Sequence, residues 1–406
     1  MKISSPTEKL ISVFFTLAII FSFVRKLSSE FYFYYDLAEK LFPVLLLGLY
    51  IVFIKIYNFK RHAIIVYIFG LYLLIGIGTT IINNGKLSVV IYQIYHELKF
   101  PLIVSSCILI TLKRDYEKPM SLMIKFMLTF SLILVIFRFG MSSTYDAIFS
   151  NGAHKGAGDF GSADLKRYAG FFWHPSQLAI FCILSVLFFD YHKRSLNTAE
   201  YILWTMFSII LLLLTVQRFE LLIFVSIYSI ILLLKILKIK SLALPQITAI
   251  ALLVILLIIP ALYFKEIFIL SGFSEVPRFV FYKQAYIYLL DSQFLGVGWG
   301  NLGSHAAADM TSVYNTGPLS NYWWVKEGLY FYDTYWPHVI GETGIFAVVT
   351  LIIFCLMLHK AISTLHGRLV FFVLIMSSIF SSNLQSIFYL TIVTWFILHF
   401  EQRKAD

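Results

Sequence analysis

Charge is scarce in this sequence. Of 406 residues only 13% are Asp, Glu, Lys or Arg, where globular proteins carry about 25%. Cysteine is scarcer still. Cys107, Cys182 and Cys355 each lie inside an apolar run, so they build neither a disulfide framework nor a Cys/His metal spacing; they read as small core residues. The segments assigned below to the exterior contain no Asp-x-Asp pair and no carboxylate cage for a metal. The apolar stretches also lack the alternation of transmembrane barrel strands. These absences exclude a soluble globular fold, a disulfide-stapled secreted domain and a β-barrel.

What fills the sequence is apolar: 59% of it is hydrophobic, in long runs such as Leu203–Val216, Leu221–Leu234 and Ile247–Phe264. A membrane span takes about 20 apolar residues, fewer when the helix is short or sunk. In lipid the backbone must satisfy its own hydrogen bonds, so the runs are expected as helices. The first, Leu10–Val24, follows Lys2 and Lys9 and has the start of a signal peptide. Arg25, Lys26 and Leu27 follow it where small residues would mark a cleavage site, so it is read as an uncleaved first helix.

The runs predict an all-α, polytopic integral membrane protein, a single membrane domain over residues 1–406. About twelve spans are expected, near 9–25, 41–57, 63–82, 98–112, 120–140, 168–189, 201–217, 220–237, 246–264, 339–358, 369–382 and 384–400. With both termini in the cytoplasm, the short inside segments collect basic residues such as Lys60, Arg61, Lys113, Arg114, Lys193, Arg194, Lys238 and Lys240. That is the positive-inside pattern. The net charge of +10 therefore reports topology and not nucleic-acid binding.

Tyr201–Leu237 is nearly continuous and too long for one span. It is broken only by Gln217-Arg218-Phe219-Glu220. Two short helices keep Lys193/Arg194 and Lys235/Lys238/Lys240 on one side, and they place Arg218 and Glu220 at or below the outer surface. An ionisable residue at membrane depth is costly and usually faces a cavity with a job to do. The plainer alternative is an Arg218–Glu220 pair that caps a hairpin.

Two long segments are assigned to the outside. Segment 141–167 is rich in Gly, Ser and Ala and ends in Lys166-Arg167. Segment 265–338, between the ninth and tenth helices, is the largest external loop. It holds Arg278, the run Gly296-Val297-Gly298-Trp299-Gly300-Asn301 and aromatic clusters at Trp323-Trp324 and Tyr330–Trp336. Function concentrates on loops held by a rigid scaffold. The aromatics suit packing on sugar rings and equally suit an interfacial belt. The glycine run is no nucleotide loop, because no βαβ unit surrounds it; it reads as a tight turn bringing backbone close to a helix or ligand.

Four stretches stand in order along the chain: Arg167-Tyr-Ala-Gly170-Phe-Phe-Trp-His174-Pro175-Ser176; Gln217-Arg218; Pro277-Arg278 with Phe294-Leu-Gly296-Val-Gly298-Trp-Gly300-Asn301; and Pro337-His338-Val-Ile-Gly-Glu342-Thr-Gly344. They resemble motifs of the O-antigen polymerase and O-antigen ligase superfamily of bacterial envelopes. Together they cover roughly residues 160–360. Ser176, Gln217 and Val339 depart from the Asn, Ser and Asn usual there, which leaves the acceptor chemistry open.

The resemblance implies a bacterial cytoplasmic (inner) membrane location with the active site facing the periplasm. It implies a donor and an acceptor that are glycans on undecaprenyl pyrophosphate, no cofactor, and a chain-length regulator and a flippase as partners. Arginine forks hold phosphate oxygens in bidentate fashion and stay charged. Arg218 and Arg278, with Arg167 third, are therefore the expected pyrophosphate clamp, replacing a metal. A base of near-neutral pKa suits His338, and Glu342, one turn later, is placed to orient it. The alternative for His338 is a helix cap. His174 reads as a cap or packing residue, while His96, His154 and His305 are isolated and receive no role. Polymerase is preferred over ligase within the family. A lipid-linked glycan flippase is the rival of another class; it is disfavoured because the halves show no repeat.

Overall fold

The computed structural model describes Ile20 and residues 60–109, 117–142, 144–145, 168–172, 174–236, 276–331 and 334–402. The expected spans at 9–25, 41–57 and 246–264 lie outside these, Ile20 apart, as do Arg167 and His154.

Every regular element among the described residues is helical. They are α1 (Lys60–Ile82), α2 (Leu87–Leu109), α3 (Glu117–Gly140), α4 (Pro175–Tyr191), α5 (Thr198–Leu214), α6 (Arg218–Ile236), α7 (Pro277–Asp291), three short helices α8 (His305–Asp309), α9 (Val313–Thr316) and α10 (Trp323–Lys326), then α11 (Trp336–Ala361), α12 (Leu365–Ser377) and α13 (Ile387–Gln402). Three stretches are long and apolar enough to cross a membrane: Ala63–Ile82, Pro119–Gly140 and Trp336–Ala361. Their outer faces carry exposed Leu71, Leu74, Leu122, Phe126, Phe346 and Leu356. Exposed apolar surface on this scale marks contact with an apolar phase.

α4 shows the complementary case. It is apolar all round and almost wholly buried, as a helix at the centre of a bundle must be. It packs on α5, α6, α12 and α13. His174 caps its start: Nδ1 accepts from Ser176 N at 3.2 Å, and Gln177 reaches back to the His174 backbone. That is the capping role read from the sequence.

The described part of the run 201–237, residues 201–236, does divide into two helices. The break falls at 215–217, just before Arg218, with Val216 in the left-handed region at φ 51°. One other expectation needs correction. α2 begins at Leu87, eleven residues before the expected 98, the difference of those two positions. Its first half carries Gln93, His96, Glu97 and Lys99, all buried, so a polar inward face hides it from hydropathy. Within segment 265–338, read as one large external loop, the described residues include the fifteen-residue helix α7.

α11 is not regular. Residues Val339–Thr343 form a π turn. The glycine run fits against it: Val297 N donates to Gly341 O at 3.0 Å and Gly298 N to Glu342 O at 2.8 Å. Such a bulge releases carbonyls from the helix ladder, and the loop satisfies them. Gly296 has φ 88°, and a Cβ there would sit 2.5 Å from Glu342 O. The glycines thus make the close backbone approach expected of them.

Candidate active site

Five donors converge on one buried carboxylate. Glu97 of α2 is 2% exposed. Its Oε1 accepts from Gln93 Nε2 at 2.7 Å, Gln385 Nε2 at 3.0 Å and His338 Nε2 at 3.0 Å. Its Oε2 accepts from Tyr335 OH at 2.8 Å and Tyr72 OH at 3.0 Å. Gln93 stands one turn before Glu97 on the same helix face. Tyr72 comes from α1, Tyr335 and His338 from the start of α11, and Gln385 from the 3-10 turn Asn383–Gln385. An ionised group in an apolar bundle is costly unless its lone pairs are met; here they are met by groups from four parts of the chain.

His338 is wholly buried, and its ring stands edge-on to Tyr335 with centroids 4.8 Å apart. Two amide nitrogens, which can only donate, end on Oε1 beside it. That oxygen carries no proton, so the His338 Nε2 is the donor. The other ring nitrogen, Nδ1, is buried without a hydrogen-bond partner.

Glu342 lies on the π turn that follows His338, and its hydrogen bonds differ from the expected ones. Its Oε1 accepts from Asn301 N at 2.8 Å, from Leu302 N and from Ser304 Oγ at 2.9 Å. It fastens the glycine loop, while the hydrogen bond that orients the His338 ring comes from Glu97. Glu342 Oε2 is buried without a partner.

The arginines sit at helix starts. Arg218 is the first residue of α6 and Arg278 the second of α7. Arg218 is exposed and Arg278 half-buried. The residues after them meet on one ring: Phe219 lies 4.5 Å from Phe380 and Phe279 6.3 Å, centroid to centroid. Phe380 belongs to the stretch 378–386 between α12 and α13. There Ser378 Oγ accepts from Trp336 Nε1 at 2.9 Å, Ile379 O accepts from Tyr282 OH at 2.6 Å, and Gln385 reaches Glu97. One short polar connection therefore touches both arginine-bearing helices and the His338 cluster. Tyr389, just beyond it, donates to Ser176 O at 2.7 Å and ties in the His174-Pro175-Ser176 stretch.

A second polar group lies beside the first. The rings of His96 and His305 stack at 3.8 Å, and Lys99 Nζ lies 3.3 Å from His96 Nδ1. Desolvation, then the Lys99 ammonium, holds His305 well below the ordinary histidine range. These two histidines are therefore partners of one another, not the isolated residues the sequence suggested.

Glu97, with Gln93, Tyr72 and Gln385, escaped the sequence reading, and Tyr335 stood there only as part of an aromatic cluster. The available signal was the Gln93/His96/Glu97/Lys99 group leading directly into the apolar run 98–112. No group of three or more His, Cys, Asp or Glu arranged to hold a metal occurs among the described residues. No family model, curated protein or solved structure matches the chain.

Proposed function

We propose that the protein is a membrane glycosyltransferase that polymerises glycan repeat units carried on undecaprenyl pyrophosphate, at the outer face of a bacterial cytoplasmic membrane. The proposal includes the twelve-span topology with 265–338 external. In the reaction a sugar hydroxyl of the acceptor attacks the anomeric carbon of the donor. The bond from that carbon to the lipid pyrophosphate breaks, the hydroxyl proton passes to His338 Nδ1, and Arg218 and Arg278 hold the charge of the departing pyrophosphate. Arginine forks suit that charge better than lysine, and histidine suits proton removal near neutral pH. The observation that carries the reading is the meeting of the two arginine-bearing helix starts on Phe380, in the stretch that also supplies Gln385 to the carboxylate holding His338.

Deletion of the gene, with the surface glycan resolved on a gel, tests it. A product capped at a single repeat unit supports the polymerase. Polymer left on its lipid carrier with a bare lipid A core indicates ligase activity instead, and loss of outward-facing intermediates indicates a flippase. Normal polymer excludes all three.

A further inference from the structure

We propose that Glu97 is a positioning residue for glycosyl transfer: it holds His338 by Nε2–H and so turns the bare Nδ1 toward the reacting hydroxyl. The inference rests on the reading of His338 as the base, but its geometric half stands independently.

A neutral imidazole has one nitrogen with a proton and one with a lone pair, and a hydrogen bond at one nitrogen decides which is which. Nε2 faces an oxygen already taken by two amide donors, so Nε2 keeps the proton. Nδ1 is left with the lone pair, and it is the ring atom that no protein group satisfies. A buried acceptor without a donor is uncommon and calls for an explanation; a substrate hydroxyl supplies the missing donor. When Nδ1 takes that proton the ring becomes a cation, and the carboxylate 3.0 Å away steadies it. The π turn that follows His338 directs Glu342 to residues 301–304, which leaves Glu97 as the carboxylate hydrogen-bonded to the imidazole.

A carboxylate that serves only to fasten helices would need the tyrosines and glutamines but no histidine. The groups around His338 are Glu97, which also takes the Tyr72 hydroxyl, the Tyr335 ring just before its helix, Glu342 on that helix, and His305 from α8. α7, packed on the π turn, carries Arg278, Lys283 and Asp291 and sends Tyr288 toward Glu342. Of these groups Glu97 is the one whose hydrogen bond to the imidazole selects its tautomer.

Two measurements on the full-length protein in detergent test this. Nitrogen-15 spectra of labelled histidine, with His338 assigned by its loss in His338→Asn, should show Nε2 protonated and Nδ1 bare near pH 7. The reverse tautomer overturns the proposal whatever the activity. The second measurement is the pH profile of kcat/KM on lipid-linked repeat units. Glu97→Gln keeps an acceptor oxygen for Nε2–H but removes the charge, so kcat should fall by about 10²-fold, within what a general base contributes, and the acid limb should move to lower pH. Gln385→Met removes a competing donor from the same oxygen. It keeps the test open if Glu97→Gln does not fold, and its acid limb should move to higher pH. Unmoved limbs in the variants that fold leave Glu97 as a fastener only, while the polymerase reading survives. The expected tautomer in a protein that transfers no glycan sinks the functional reading and the positioning role for transfer, and leaves the geometry intact.

Discussion

Two glutamates lie buried within a short distance of His338, and they are spent differently. Glu97 gives both oxygens to five donors drawn from α1, α2, α11 and the stretch before α13. Glu342 gives one oxygen to three donors, all from residues 301–304, and keeps the other without a partner. The first joins helices that are far apart in sequence; the second holds one loop against one helix. The same side chain, equally buried, is in one place a junction of the bundle and in the other a clasp for a segment above it. Their consequences on removal should therefore differ in range as well as in size.

The largest expected effect tests that difference directly. Glu97→Ala leaves five donors facing a void, and each buried donor so abandoned costs about 1–3 kcal/mol. Several such losses reach the whole stability of an ordinary fold, about 5–15 kcal/mol. The variant should not accumulate as folded protein, as read by monodispersity in detergent. Glu342→Ala should accumulate, with faster amide exchange confined to residues 296–304. If both variants unfold alike, the distinction between junction and clasp is wrong.

Next in size are the groups assigned to chemistry. His338→Ala should lower transfer by about 10²–10⁴-fold, the range of a general base, at unchanged protein level. His338→Asn separates this from a helix-capping role, since Asn also caps well; near-normal chain lengths from it would remove the base assignment. Arg218→Lys and Arg278→Lys each keep the charge and lose the fork. Each should shorten the polymer, and full length in the double variant would dismiss bidentate clamping.

Much of the helical plan was legible because hydropathy reads residues that face lipid or core. The break at 215–217 and the start of α11 fell within a few residues of expectation, since Arg218 and Pro337-His338 interrupt the apolar pattern there. The start of α2 did not. Its first turns carry Gln93, His96, Glu97 and Lys99 on an inward face, and a window average treats such residues as loop. Arg218, Arg278 and His338 stand out as candidates by residue type and order along the chain. Glu97 does not, because four of its five partners lie 25 to 288 residues away, and the one local partner, Gln93, does not by itself reveal those pairings. Glu342 was found as a neighbour of His338, but its hydrogen bonds go to Asn301, Leu302 and Ser304, because the π turn re-aims its carboxylate at the loop.

The smallest effect concerns the clasp alone. Gly298 has φ 86°, and a Cβ there would lie 2.9 Å from Thr80 Cα, a backbone atom that cannot step aside. Gly298→Ala therefore meets both the left-handed penalty, about 1–2 kcal/mol, and a clash with α1. The neighbouring bonds give the direction of the response. Trp299 N donates to Thr80 Oγ1 at 2.9 Å and Gly298 N to Glu342 O at 2.8 Å, so pushing residue 298 away from α1 strains both. The loop should loosen where Glu342 holds it, while the Glu97 junction, which shares no bond with residue 298, stays closed. The expected reading is a Tm lowered by a few degrees, faster exchange at residues 296–301, and an unchanged His338 tautomer in nitrogen-15 spectra. A changed tautomer would mean that the clasp and the junction form one unit, and that the two glutamates are not independent.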